Sequence, residues 1–264
     1  MKDNIKRFLL KHDLYYKLRY SFLFRVYQYL FKPSDIRSAS KEVQFYRSFL
    51  SPSNLIFDIG AYDGHKTEAF LHVAKKVVSC EPDQKNFTIL KKRFRNRVKR
   101  VYLENKALAE TEGERTYYIH HPASAFNTLS HDWKEKLESD NVEKWNEKIE
   151  FKDKVVIQTT TLDLLVKKYG RPDFIKIDVE GYEKNVLGGL SQPVSYLSFE
   201  ALWPDGEDEI KLCIHRIHEI CKNPEYNIAE NEKLLLPAFI NREKLFDWLN
   251  KTKIIHLEIV VKMS

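Results

Sequence analysis

Residues 55–70 read LIFDIGAYDGHKTEAF. An apolar run climbs to Asp58, breaks at Gly60, and turns at Asp63-Gly64 into a helical pattern. A carboxylate at the tip of a buried strand is destabilising unless it is paired or used. Glycines beside it let the backbone take a left-handed turn and approach a ligand closely. The stretch is therefore read as strand, ligand-binding turn and helix.

Working outward, the pattern alternates. Apolar runs predict strands over 54–59, 76–82, 114–121, 155–161, 173–181 and 194–204, and within 98–109 a strand that runs into a loop. Helical spacing predicts helices over 41–50, 66–75, 84–96, 162–170 and 207–222, and a final helix and strand close the chain. Such alternation means an α/β fold with a mostly parallel sheet covered on both faces. In these sheets ligands sit beyond the carboxyl ends of the strands, where strand order reverses. That rule points to Asp58-Ile59-Gly60, Glu81-Pro82, Asp178-Val179-Glu180-Gly181 and Glu200.

The chain has 264 residues and a net charge of +6. Residues 1–32 hold eight basic and two acidic residues, an excess equal to the whole net charge. The body is thus neutral, which argues against a general nucleic-acid binder. The basic, aromatic-rich arm suits a helix packed on the domain, a helix packed on a second copy of the chain, or peripheral contact with an anionic membrane. No run approaches the ~20 apolar residues of a membrane span. Three scattered cysteines, Cys80, Cys213 and Cys221, read as reduced thiols in a cytoplasmic protein. The expected organisation is a basic helical extension over 1–50 and one domain over 51–264, with the polar stretch 124–150 as an insertion or lid.

At the first turn the glycines fall as G-x-x-x-G, without the G-x-G-x-x-G that dinucleotides require. Asp58 and Asp63 would repel a diphosphate but suit a cationic amino group, which S-adenosylmethionine carries. Glu81 follows Gly60 by 21 residues, at a strand end from which a carboxylate reaches ribose hydroxyls. Pro82 stiffens the turn after it.

LIFDIGAYDGHKT, VVSCEPDQKNFTIL, NKALAETEGERTYYI and the run from TTTLDLL to DFIKIDVEGYEKNVLGGL resemble the FkbM family of class I S-adenosylmethionine-dependent methyltransferases over about residues 50–203. The resemblance implies a Rossmann-like, seven-stranded fold and O-methylation of a hydroxyl on a sugar, glycan or secondary metabolite. It implies cofactor contacts at Asp58, Gly60, Ala61, Asp63, Gly64, Thr67, Glu81, Pro82, Ala107 and Leu108. Where Asp63 stands the family often has a small or amide residue.

Asp178 is the candidate base or orienting group for the acceptor, with Glu180 and Glu200 as neighbours, and Lys176 is expected to pair with an acid. A divalent metal on these acids is chemically allowed but not expected. Trp133, Trp145 and His131 belong to the candidate lid, and His120, His121 and His131 are candidate acceptor contacts. Three rival readings are kept: a non-catalytic assembly module, an NAD or nucleotide-sugar oxidoreductase, and an RNA methyltransferase. The acid at Asp178 favours catalysis over the first, and the missing dinucleotide motif weighs against the second.

Overall fold

A computed structural model describes residues 33–50, 52–139 and 148–263, together with residues 18–20, 27 and 31. Most of the basic arm, and Trp145 in the lid, lie outside the described residues. Among the described residues no helix is long and apolar enough to cross a membrane.

In chain order the elements are α1 (Pro33–Phe49), β1 (Ser53–Ile59), α2 (His65–Phe70), β2 (Ala74–Cys80), α3 (Gln84–Phe94), β3 (Val101–Glu104) and β4 (Ala107–Leu108). Then come β5 (Gly113–Ile119), α4 (His131–Ser139), β6 (Asp153–Thr160), α5 (Leu162–Tyr169), β7 (Phe174–Ile177) and α6 (Glu183–Gly188). The chain closes with β8 (Tyr196–Leu202), α7 (Glu207–Ile220), β9 (Glu225–Glu230), β10 (Lys233–Leu234), α8 (Arg242–Leu249) and β11 (His256–Lys262).

The main sheet runs β10-β9-β11-β8-β7-β1-β2-β3. Strands β3, β2, β1, β7 and β8 pair in parallel, and β11 is antiparallel to both β8 and β9. The sheet has eight strands rather than the expected seven, because the two-residue β10 folds back on the edge of β9. The chain winds from β1 outward to β3 and returns to β7 on the other side of β1. The crevice between β1 and β7 is thus the switch point where such folds bind ligands.

Two sequence expectations shift. The strand expected within 98–109 is β3, in the main sheet, but where a loop is expected to follow it Ala107–Leu108 form β4, paired with β6. Residues 155–161 leave the main sheet and form the centre of a three-stranded sheet, β4-β6-β5. Val155 and Val156 are exposed there, so an apolar run was not a sign of burial. The helix after the first turn also stops at Phe70, since β2 already begins at Ala74.

Along β1 the side chains alternate as the pleat demands. Leu55, Phe57 and Ile59 pack into one core with β7, β8 and α7. Ile56 points into the other with Tyr46, Phe70 and Phe174. Helix α1, assigned to the extension from sequence, packs Phe45 and Tyr46 into this second core. Tyr46 meets Phe70 edge-on at 4.7 Å and Phe174 at 5.8 Å. Helix α1 begins at Pro33, as suits proline at a first helical position. All three cysteines are buried and free.

Candidate active site

The turn after β1 is built on Gly60. Its φ is +84°, and a Cβ there would lie 1.7 Å from the carbonyl oxygen of Asp178. Only glycine admits that approach. The Gly60 and Ala61 amides donate to the Cys80 carbonyl, and the Asp178 amide donates to Ile59. The tips of β1, β2 and β7 are therefore tied together at one point.

Beside this knot lies a cavity of about 270 Å³. Gly60, Ala61, Asp63, Glu81, Pro82, Ala107, Leu108, Asp178 and Glu180 line it. Of the residues singled out from sequence, Asp58, Gly64 and Thr67 stand behind its wall. Asp58 is buried on the sheet between Ser79 and Lys176 in register. Thr67 donates to Asp58 Oδ2 at 2.5 Å and shares a 2.8 Å hydrogen bond with Ser79. Gly64 packs against Leu90 and Phe94. Asp63 reaches the rim, yet its carboxylate accepts from the His65 amide at 2.9 Å and lies 3.4 Å from Arg93. That carboxylate secures the turn.

Thr67→Ala should therefore act on stability. It removes a buried donor from Asp58, at a cost of about 1–3 kcal/mol. A lower urea midpoint with an unchanged slope would show this.

Glu81 is 4% exposed. Its oxygens accept from the Tyr62 amide at 2.8 Å and the Asp83 amide at 2.8 Å. Sequence reasoning missed several other wall residues: Tyr62, Asn86, Lys106, Tyr117 and Asn127. Tyr117 and Asn127 arrive from far along the chain. Asp83 explains how: it caps α3 through the Lys85 and Asn86 amides, and it also accepts from Ala123 and Asn127. The start of the 124–150 segment is thereby pinned over the cavity.

A second cavity, of about 480 Å³, opens on the other side of Glu180. Trp133 and Lys136 of α4, the Glu180-Gly181 turn, the end of β8 and the first turn of α7 enclose it. Glu180 and Gly181 are both left-handed, with φ of +56° and +80°. The Thr128 hydroxyl donates to the Glu180 carbonyl at 2.7 Å, and the Trp133 side chain presses on Gly181 where a Cβ would be 2.7 Å away. His120, His121 and His131 line neither cavity. His120 instead bonds the Glu150 backbone, and His131 faces Glu135 on its own helix.

Where the cavities meet, the carboxylates of Asp178, Glu180 and Glu200 bring oxygens within 4.8 Å of one another. Lys176, 4% exposed, contacts Asp178 at 2.7 Å, so the expected pairing of this lysine is with Asp178. Burial disfavours the lysine's charge, but Asp178 and Glu258 outweigh it and hold it protonated. Burial likewise works against the Asp178 charge, and Lys176 wins, keeping Asp178 below its ordinary value. Glu200 hydrogen-bonds Asp178 and is pushed up to about 8 by burial and then by the Asp178 charge. Glu180 is raised by burial, then by Glu200 and Asp178. The oxygens suit a hard divalent cation in type, although Asp178 already has an ammonium in contact.

These shifts set a pH dependence. Burial raises Asp58 to about 6, Glu183 to about 7, and Glu81 to about 8. Unfolded carboxyls titrate near ~4. Across the window from about pH 4 to about pH 8 the folded chain therefore holds more protons than the unfolded one. Stability contributed by these groups is full at the acid end and lost as pH rises. The melting temperature without ligand is expected to fall between about pH 5.5 and about pH 8.5, and Glu81→Gln to flatten part of that fall. Differential scanning calorimetry across that range checks both.

Among curated proteins none is significantly similar to this chain in sequence. Among solved structures, the fold is similar to an FkbM methyltransferase from Methylobacillus flagellatus KT. The TM-score is 0.50 at 15% identity, covering 83% of this chain and 47% of that one. The chain thus spans about half the length of that protein. Lower similarity extends to a ribosomal protein L11 methylase from Lactobacillus delbrueckii subsp. bulgaricus, with TM-score 0.43, 9% identity, and coverage of 87% of this chain and 78% of that one. An O-methyltransferase from Bacillus cereus in complex with SAH gives TM-score 0.41, 13% identity, and coverage of 86% and 80%. Residues 58–237 match the methyltransferase FkbM domain, a span that reaches beyond the resemblance read from the motifs. With well over half its length in that match, on a Rossmann-like class I fold, the chain belongs to the FkbM methyltransferase family.

Proposed function

We propose that this protein is an S-adenosylmethionine-dependent methyltransferase that methylates a hydroxyl on a sugar, glycan or secondary metabolite. The observation that carries the reading is the meeting of two cavities at Glu180, with Asp178 in the wall of the first, beyond the ends of β1 and β7. One cavity has the wall chemistry for the cofactor, and the other has room for an acceptor.

The residues present fit the cofactor. Gly60 and Ala61 bring backbone against the cavity, and Glu81 offers a carboxylate at the β2 tip. Ala107, Leu108 and Tyr117 supply an apolar wall for a purine. When bound, S-adenosylmethionine supplies an electrophilic methyl group whose leaving group, a neutral thioether, needs no acid catalyst.

The chain's own work is therefore alignment, water exclusion and removal of one proton. Alignment can contribute ~7–11 kcal/mol to lowering the barrier. Asp178 is the group that accepts the acceptor's hydroxyl proton. Lys176 keeps it ionised, and Glu200 holds its orientation by a hydrogen bond. Glu180 faces the acceptor cavity from the clamped left-handed turn. The 124–139 segment roofs the junction through the Asn127–Asp83 and Thr128–Glu180 bonds.

The test is incubation with methyl-labelled S-adenosylmethionine and a panel of saccharides and hydroxylated metabolites, with products read by NMR. A labelled methyl ether supports the proposal. Label found only on nitrogen, or binding of the cofactor without transfer to any member of a broad panel, counts against O-methylation.

A further inference from the structure

One wall residue of the cofactor cavity holds a conformation that its backbone contact alone does not require of it. Tyr62 lines the cavity with a φ of +50°, in the left-handed region. Among the described residues the other left-handed positions without glycine are Ala123, Glu180, Asn231 and Glu232, so Tyr62 is the one aromatic in that set. A bulky side chain is strained there, and such strain persists at sites of function.

The conformation turns the Tyr62 amide onto Glu81, at 2.8 Å. A glycine or an asparagine would make the same bond with less strain. The turn therefore does not need the ring. Packing does not need it either: Tyr62 belongs to neither core and is 44% exposed. Among the described residues its ring meets no other ring, no cation lies over it, and its hydroxyl makes no hydrogen bond. Burial lifts the phenol above its ordinary value, so the ring is uncharged. What remains is an aromatic face beside a ligand cavity, a surface that attracts cations.

Its place in the wall says which cation. On the methyltransferase reading the Gly60-Ala61 backbone meets the amino-acid end of the cofactor, and Glu81 meets the ribose. Tyr62 follows Ala61 in the chain and is bonded to Glu81, so it stands between the two. The group that joins those two parts of S-adenosylmethionine is the sulfonium.

We propose that Tyr62 turns its ring face to the sulfonium of S-adenosylmethionine and makes the cavity prefer the charged cofactor to its neutral product. This rests on the methyltransferase reading and adds a binding residue to the same site. S-adenosylhomocysteine lacks both the methyl group and the charge, so the ring favours capture of fresh cofactor and release of spent cofactor.

The full chain is titrated by calorimetry with S-adenosylmethionine and with S-adenosylhomocysteine, beside Tyr62→Phe, Tyr62→Leu and Tyr62→Gly. Tyr62→Leu is expected to weaken S-adenosylmethionine about three- to tenfold more than S-adenosylhomocysteine, the range of one cation–ring contact. Tyr62→Phe keeps the ring and should keep the wild-type ratio of the two affinities. Tyr62→Gly relieves the left-handed strain and should still show the selective loss.

An unchanged ratio in Tyr62→Leu, whether both ligands weaken together or neither does, overturns the inference. So does loss of the ratio in Tyr62→Phe, or its retention in Tyr62→Gly. A folded wild type that binds neither ligand would instead overturn the methyltransferase reading beneath it.

Discussion

Gly60→Ala is expected to abolish binding of S-adenosylhomocysteine. The added methyl group would sit 1.7 Å from the Asp178 carbonyl oxygen, on a residue with φ of +84°. The left-handed conformation alone costs an alanine roughly 1–2 kcal/mol. Forcing the carbonyl away adds about 1–3 kcal/mol of overpacking and displaces the loop that carries Asp178 and Glu180. Gly170→Ala separates these effects. That glycine has φ of +98°, but a Cβ there would meet nothing within 4 Å. It should lose stability by a similar backbone term and bind the ligand as before. If Gly60→Ala also binds normally, the β1–β7 knot does not form the cofactor cradle.

Asp178→Asn is expected to lower methyl transfer by about 10²–10⁴-fold, the usual contribution of a positioned base. Its effect on S-adenosylhomocysteine affinity should be small. Asparagine keeps the shape and an acceptor oxygen for Lys176, so the buried ammonium retains a partner. Lys176→Met makes the complementary change. It removes the cation that holds Asp178 ionised, and breaking such a pair typically costs 3–5 kcal/mol of stability. Transfer by that variant should recover as pH is raised, because Asp178 without Lys176 titrates higher. Asp178→Asn retaining transfer within a few-fold would move the proton to Glu180 or to solvent.

The parts of the site legible in the sequence were those written in one short stretch. The β1 run, the glycine after it and the acid at the next strand tip obey local rules of period and turn chemistry. They placed Gly60, Ala61, Glu81 and Pro82 beside the cavity from spacing and resemblance alone. Lys176 and Asp178 were legible as a pair because two charges on one strand face have few ways to be satisfied.

What was not legible depends on distant chain. Asp58 and Asp63 look alike in the sequence, yet Thr67 and Ser79 bury the first and Arg93 engages the second. The departure of 155–161 to a second sheet follows from β4 and β5 flanking it, which no local pattern encodes. The wall formed by Tyr117 and Asn127 was missed, since the anchor that brings Asn127 there, Asp83, acts across tens of residues.

The central claim is that the crevice between β1 and β7 holds S-adenosylmethionine. It is tested most directly by calorimetric titration of the full chain with S-adenosylhomocysteine, with Glu81→Ala alongside. The account expects one site of micromolar affinity in the wild type and none in the variant. A folded wild type that takes up no ligand would contradict it.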